Sequence, residues 1–415
     1  MHFPLFLQFP SNKTDMEIYT RDQRELDNGV KAFAWIKFMS KCIGVWPLKP
    51  NYHLSNLIFL YFTYAMFTEY VNLFFCLPNL KKVIGNLTET LSFTHIYVRT
   101  VILRVYIKTL GEVMSESLKD YHERAYKTSE EVYELMTFMK KGKLFVKCAS
   151  IFSFWTVSSW FLRPVTSGLA SPPQGNSTFN IAAYPLPYKF HVFYEINSYR
   201  TYVLTYISWS PFAFIIGFGH VTSGCFLIIL TFHVSGKLAV LATRIDALKY
   251  KSEGIRRELD EIIFEHSRLL KMGEGIKRAY APSLLIYFMN GSILLTFIGY
   301  KILVSWTVRD NKNLTPYYIF ISTVYLAMCV FCTLSENLIA QSKKVSNAFW
   351  NCHWYNMPQD CVKDIIFCIK RSQKPLCLTA GSFVTLGSST LTDVTKTSMG
   401  YLSVLRSFMV SEQSA

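Results

Sequence analysis

The feature that most narrows what this chain can become is a series of apolar runs, each roughly 20 residues or longer, separated by charged segments. A run of that length exceeds what a soluble core needs and matches the hydrocarbon thickness of a bilayer at the rise of a helix. Inside lipid a segment must satisfy its own backbone N–H and C=O groups, so such runs fold as helices. Spans are read at Leu54–Leu77, Thr88–Val113, Leu144–Leu162, Thr201–His233, Ala281–Val304 and Tyr317–Ile339. The second holds His95, Arg99, Arg104 and Lys108, and reads as a helix with one buried polar face. The fourth is too long for a single crossing and should continue beyond the bilayer as helix, kinked at Pro211. A seventh stretch, Leu378 to Met409, has no interior proline but is crowded with Ser, Thr and Gly.

Charge placement orients these spans. The net charge of +15 could suggest nucleic acid, but the charges lie between apolar runs, so lipid headgroups explain them and no nucleic-acid partner is expected. The segments on one side (the N-terminal region and the second, fourth and sixth loops) carry 29 Lys and Arg, against 7 on the other. The expected topology therefore has a cytoplasmic N-terminus and an extracellular C-terminus. Glycosylation sequons at Asn86, Asn176 and Asn313 fall one in each expected outer loop, whereas Asn12 and Asn290 read as chance triplets. The N-terminus, MHFPLFLQFPSNK, lacks a basic n-region and does not read as a signal peptide. The ten cysteines show no CxxC spacing, and Cys352, His353, Cys361 and Cys368 are too irregular for a zinc module. No Ser/His/Asp or Cys/His constellation and no phosphate loop emerges, so no enzyme, metal or cofactor is expected.

The last stretch is the most informative. Asp393, Lys396 and Arg406 sit in it, and a charge inside a spanning helix normally faces protein or water. At about 100° per residue, Leu386, Thr390, Asp393, Thr397, Gly400, Val404 and Phe408 fall within roughly 40° of one line, with Lys396 and Arg406 away from it. The stripe is polar in its middle and apolar towards its C-terminal end, as suits a pore wall closed by a hydrophobic constriction. The alternative is a buried bundle helix whose hydroxyls bond its neighbours.

Two strings carry a family resemblance: IGVWPL at Ile43–Leu48 and WNCHWYNMPQDCVKDIIFCIKRSQKPLCLTAGSFVTL at Trp350–Leu386. With the Ser/Thr-rich helix ending YLSVLRSF, they resemble the insect odorant receptor family. The resemblance implies an all-α, seven-transmembrane subunit of an odorant-gated, non-selective cation channel, tetrameric with a shared odorant co-receptor and placed in the plasma membrane of olfactory sensory neuron dendrites. It implies two parts. Residues 1–340 form helices one to six, with an odorant pocket in the outer half. Residues 341–415 form helix seven, with a cytoplasmic anchor half near 358–371 and a pore-lining half near 378–409. It places the gate on Val404, Ser407 and Phe408. The chain is similar to a tuning subunit rather than the co-receptor, being shorter in its fourth loop. A gustatory receptor of the same superfamily is the nearest alternative. A G-protein-coupled receptor would need the reverse orientation, and no inverted repeat suggests a transporter.

The resemblance sets the odorant pocket among spans two, three, four and six. Depth alone then selects Phe93, Tyr97, Trp155, Ser159, Trp160, Tyr202, Tyr206, Trp209, Ile321 and Tyr325. Aromatics with a few hydroxyls suit small volatile ligands, although each could equally be packing or an interface belt. Arg99 and Arg104 are read as satisfying buried carbonyls or pairing with Glu69 or Glu112. The apolar loop AAYPLPYKFHVFYE (182–195) is a candidate lid over the pocket.

Overall fold

The computed structural model describes residues 13–78, 80–121, 126–166, 184–248, 254–307 and 314–414. Twelve α-helices run in chain order: α1 (Lys13–Lys31), α2 (Ala34–Cys42), α3 (Tyr52–Cys76), α4 (Leu80–Val105), α5 (Ile107–Lys119), α6 (Ser129–Thr166), α7 (Tyr199–Ser208), α8 (Ser210–Asp246), α9 (Ile255–Thr307), α10 (Thr315–Asn351), α11 (Gln359–Ser372) and α12 (Ser388–Ser414). The described fold is all-α apart from one two-residue hairpin, Thr379–Ala380 with Val384–Thr385. Among the described residues, five stretches are long and apolar enough to cross a membrane: α3, α6, the α7–α8 pair, α9 and α10. The α4 and α12 helices are not among them, because α4 carries Glu89, Arg99 and Arg104 and α12 carries Asp393, Lys396 and Arg406.

The bundle is built around α8. From Cys225 to Ala242 every one of its residues is buried, so it has no solvent or lipid face over five turns. The most extensive packing sets α6 and α10 against it. Close approach depends on small residues: a Cβ at Gly236 would meet Leu135 Cδ1 at 2.9 Å, so α6 sits directly on the α8 backbone. The expected kink near Pro211 is present as a break at Trp209, with the proline in the first turn of α8, where its missing N–H costs nothing. The helix continues to Asp246, as its length demanded. The IGVWPL string forms the corner between α2 and α3. Gly44 adopts a positive φ of 74°, and a side chain there would meet Asn51 O at 2.7 Å. Asn51 in turn caps α3 by accepting from Leu54 N–H at 3.1 Å.

At the end of the bundle expected to be cytoplasmic, α8 carries His233 and Lys237, both essentially inaccessible. Their partners come from two other helical segments. Asp120, at the end of α5, contacts His233 Nε2 (3.0 Å), Lys237 Nζ (3.5 Å) and the Arg268 guanidinium, and Glu265 on α9 reaches Lys237 Nζ at 3.1 Å. Burial alone would raise the Asp120 carboxyl, but the His233 hydrogen bond and the charges of Lys237 and Arg268 outweigh it and hold it well below the usual carboxylate range. A separate pair joins Arg244 on α8 to Glu131 on α6 at 2.6 Å.

Three expectations are corrected. The outer loop expected at 78–90 is helical from Leu80, so Asn86 lies in the second turn of α4. Asn86 is fully buried, with its carboxamide donating to Glu69 Oε1 (2.9 Å) and accepting from Asn72 Nδ2 (2.7 Å), so it offers no amide to a glycan. Asn176 and Asn313 lie outside the described residues. The second span, read at Thr88–Val113, is two helices broken at Tyr106. The helix expected from Leu378 starts only at Ser388, and residues 379–385 turn through the hairpin at Gly381 (φ 64°).

Asp120→Asn keeps the side-chain shape but removes the carboxylate that joins His233, Lys237 and Arg268, leaving the buried Lys237 with Glu265 alone. It should cost about 3–5 kcal/mol, measured as a lower unfolding midpoint of the detergent-solubilised protein. Glu261→Gln, which touches only the half-exposed Lys127 and Arg257, should stay within about 0.5 kcal/mol. Because the Asp120 carboxyl titrates lower in the folded than in the unfolded chain, its contribution is complete above the unfolded value and is lost only as pH falls through the folded one.

Candidate functional site

Three adjoining chambers run between α4, α6, α8, α9 and α10. The first, about 70 Å³, lies among Phe93, Ile96, Thr156, Trp160, Tyr188 and Phe320. It shares Thr156 and Phe320 with a second of about 80 Å³, which adds His95, His220 and Tyr287. The second shares Ser153, His220 and Thr323 with a third of about 220 Å³, walled by Arg99, Phe152, Val330 and Phe331. Walls of this kind suit a small apolar molecule oriented by a few polar groups. One of those groups is a bridge across the cavity: Thr156 Oγ1 on α6 and Thr323 Oγ1 on α10 lie 2.7 Å apart.

The loop expected to act as a lid does cover the first chamber. Tyr188 and Phe190 are buried among Phe93, Trp209 and Phe212. Lys189 holds the loop down through Glu89 on α4, with Nζ 2.9 Å and the backbone N–H 3.2 Å from its carboxylate. His191 N–H donates to Thr68 O at 3.2 Å.

Of the residues selected by depth, Phe93 and Trp160 line a chamber. Tyr97 turns towards α3, where its hydroxyl meets Thr63 Oγ1 at 2.8 Å. Trp155 points outward and is 56% exposed, and Tyr325 is also on the outer face. Ser159 bonds back to Thr156 O (2.8 Å). Tyr202 donates to Pro185 O (3.0 Å) and Tyr206 to Phe161 O, so both tie helix to loop or to the end of α6. Trp209 stacks on Phe190 beneath the lid, and Ile321 packs beside Trp160 without reaching a chamber. Thr156, His220 and Thr323 were missed. Each is a polar residue that only the rotation of its helix marks. The Arg99 and Arg104 expectation also fails, since among the described residues neither pairs with a carboxylate. Arg104 donates to Ser55 Oγ (2.7 Å) and Asn56 Oδ1, and Arg99 Nε donates to Ser223 Oγ (3.1 Å).

The final helix, α12, meets its own subunit along one narrow face. Ser398 Oγ donates to Ser292 O (3.1 Å) and Thr296 Oγ1 to Ser398 O (3.3 Å), while Leu402 packs where a Cβ on Gly299 would come within 3.2 Å. At about 100° per residue, Asp393, Gly400, Val404 and Ser407 lie roughly opposite Ser398. These four and Thr397 are exposed, as are Lys396, Met399, Tyr401 and Arg406 on the flanks. Among the described residues no ion pair joins Asp393 to Lys396. Leu386 leaves the stripe: it precedes the helix and is buried in the core. The side chain of Phe408 lies outside the described residues. The start of α12 is held by Glu336 on α10, whose Oε1 accepts from Ser388 N–H (2.7 Å) and Ser388 Oγ (2.6 Å), a carboxylate at a helix N-terminus where the dipole favours it.

An all-α bundle of long apolar helices enclosing a small, mostly apolar cavity has the makings of a multi-pass membrane protein. The sequence profile of the 7tm Odorant receptor family matches residues 79–399, and the chain belongs to the insect odorant receptor family. It is similar to odorant receptor 13a of Drosophila melanogaster (25% identical, over 55% of this chain and 59% of that one) and to odorant receptor 67c of the same organism (22%, 72% and 69%). With putative odorant receptor 92a the match covers 54% of the relative, so the chain spans little more than half the length of several curated relatives it matches. Its fold resembles that of the olfactory receptor OR5 from Machilis hrabei, with a TM-score of 0.75 at 17% identity, over 92% of this chain and 99% of that one.

If the chambers hold the ligand, Trp160→Ala should shift the dose dependence of activation by about tenfold or more, because it removes a wall. Trp155→Ala, on the outer face, should leave it within twofold. Dose–response curves from cells expressing each variant decide between the two.

Proposed function

We propose that this chain is the odorant-binding subunit of a heteromeric, ligand-gated, non-selective cation channel, assembled with an odorant co-receptor and taking a small volatile molecule in the three chambers. The observation that carries this reading is the exposed face of α12. Asp393, Thr397, Gly400, Val404 and Ser407 have no cover from their own subunit, yet they line a helix docked firmly on α9. A polar stripe left open in a membrane bundle is satisfied when copies face one another around water. The co-receptor as partner is supported by similarity to the Anopheles gambiae odorant receptor coreceptor (22% identical, over 36% of this chain and 31% of that one). The small-ligand reading is supported by the solved OR5 complex with eugenol, which shares the fold.

In this reading α10 links the two sites. Phe320 and Thr323 wall the chambers, and Glu336 on the same helix grips the start of α12. A ligand that separates α6 from α10 at the Thr156–Thr323 bridge moves the residue that positions the pore helix. The cytoplasmic N-terminus, the extracellular C-terminus and a dendritic plasma-membrane location complete the reading, and the Lys/Arg asymmetry supports the orientation.

Four measurements test it. A tag after Ala415 should stain on intact cells and one before Met1 only after permeabilisation; the reverse pattern would favour a G-protein-coupled arrangement. Odorant currents and surface delivery should be small for the chain alone and restored by the co-receptor. Val404→Ser should give standing current without odorant by lowering the cost of wetting the constriction. Asp393→Asn should lower cation conductance without moving the odorant dose dependence. Unchanged resting current, conductance and selectivity in both variants would make α12 structural and remove the pore assignment.

A further inference from the structure

The largest chamber contains a cation with no anion. Arg99 is 4% exposed, yet among the described residues no carboxylate lies within ion-pair distance of it, and neither this chamber nor the second is lined by Asp, Glu or Lys. Its Nε donates to Ser223 Oγ at 3.1 Å, and its Cζ lies 5.7 Å from the Tyr287 ring centroid and 5.5 Å from that of Phe331. Those rings flank the guanidinium without supplying an acceptor for its terminal N–H groups. Nη2 lies over Gly224, another wall of the same chamber, where a Cβ would stand 3.2 Å from it. Two buried polar atoms are unsatisfied at the same place: Nδ1 of His220, which lines both chambers, and Nε2 of His95, which lines the second.

A buried guanidinium is costly unless an anion or several acceptors meet it. The ion-paired residues of this protein show the usual solution, since Lys237 and Arg268 are each matched by carboxylates. Arg99 is matched by none among the described residues, and it lines the chamber. We infer that the chamber takes a carboxylate: a short- or medium-chain monocarboxylic acid with its head against the Arg99 guanidinium and its tail between Phe152 and Val330. The inference rests on reading the chambers as the odorant site and names the class of ligand they select. A planar fork of donors meets a carboxylate in two parallel hydrogen bonds, which an ester or alcohol cannot reproduce with a charge. At about 220 Å³ the chamber is smaller than a drug-sized pocket. Its rim includes Leu144 (59% exposed) and Leu326 (42%) on the outer surface of the bundle, so an apolar tail has a path from the lipid between α6 and α10.

The test uses isomers, so that only charge differs. Hexanoic acid and methyl pentanoate have the same atoms. In cells expressing the chain with the co-receptor, the acid should open the channel at a concentration about tenfold or more below that of the ester, as a charge-assisted pair is worth over a neutral contact. Arg99→Gln should remove that preference by weakening the acid response about tenfold more than the ester response. Gly224→Ala, which crowds Nη2 without altering charge, should weaken the acid response in the same direction. If Arg99→Gln fails to reach the surface, the wild-type isomer comparison and Gly224→Ala decide the matter alone. An ester that matches the acid, or variants that leave the acid preference intact, would overturn the carboxylate assignment while leaving the odorant channel standing. Silence towards both isomers also overturns it, and responses to other odorants then decide the channel reading separately.

Discussion

Lys237 sets the terms for the rest of the bundle. It sits on a helix buried on every side, so its ammonium can reach neither water nor headgroups and must be matched by neighbouring helices. Asp120 and Glu265 do this; Arg268 shares both carboxylates and His233 shares Asp120. The pairs come from α5, α8 and α9, which are far apart in sequence, so satisfying them fixes the rotation of each helix about its own axis. Apolar packing alone would tolerate a helix turned by one ridge; a half-matched charge would not. The network therefore contributes specificity as much as stability.

That rotation is what sequence reasoning could not reach. Hydropathy gives the depth of a residue along a span, and depth was enough to find Phe93 and Trp160. It cannot say which way a side chain points when a helix is contacted on several sides. Trp155 and Trp160 are five residues apart on α6, both large, aromatic and at similar depth, yet one faces outward and the other walls a chamber. The same limit hid Thr156, His220 and Thr323, whose roles arise from α6, α8 and α10 meeting. Where only one face of a helix is covered, periodicity works. The stripe of Asp393, Thr397, Gly400 and Val404 was legible because α12 touches its own subunit on one side only.

The beginning of α12 was misread for a related reason. Residues 378–387 have no proline and pass for helix, but their backbone is claimed by partners elsewhere. Gly381 N–H donates to Ala281 O (2.8 Å), and Ser335 Oγ engages both the N–H and the C=O of Leu378. These long-range hydrogen bonds outweigh a weak local preference. A similar outcome befell Asn86, whose sequon reads as a loop signal while its carboxamide is taken up by Glu69 and Asn72. Local motifs lose wherever a buried polar partner waits in the fold.

The hairpin also explains how a small ligand could act on a distant helix. Thr323 and Glu336 are thirteen residues apart on α10, about 20 Å along a continuous helix at 1.5 Å per residue. Pro316 lies in the first turn, and none follows it within the helix, so α10 has no built-in hinge between chamber and cap. In the proposed channel, a displacement at the Thr156–Thr323 bridge would therefore be carried along α10 to Glu336, and thence to the Ser388 N–H that begins α12. The α12 helix is seated on α9 by hydroxyl–carbonyl bonds at Ser292, Thr296 and Ser398 and by Leu402 against Gly299. In that reading the pull of Glu336 acts at the start of the pore helix, where a single carboxylate holds both the N–H and the hydroxyl of Ser388.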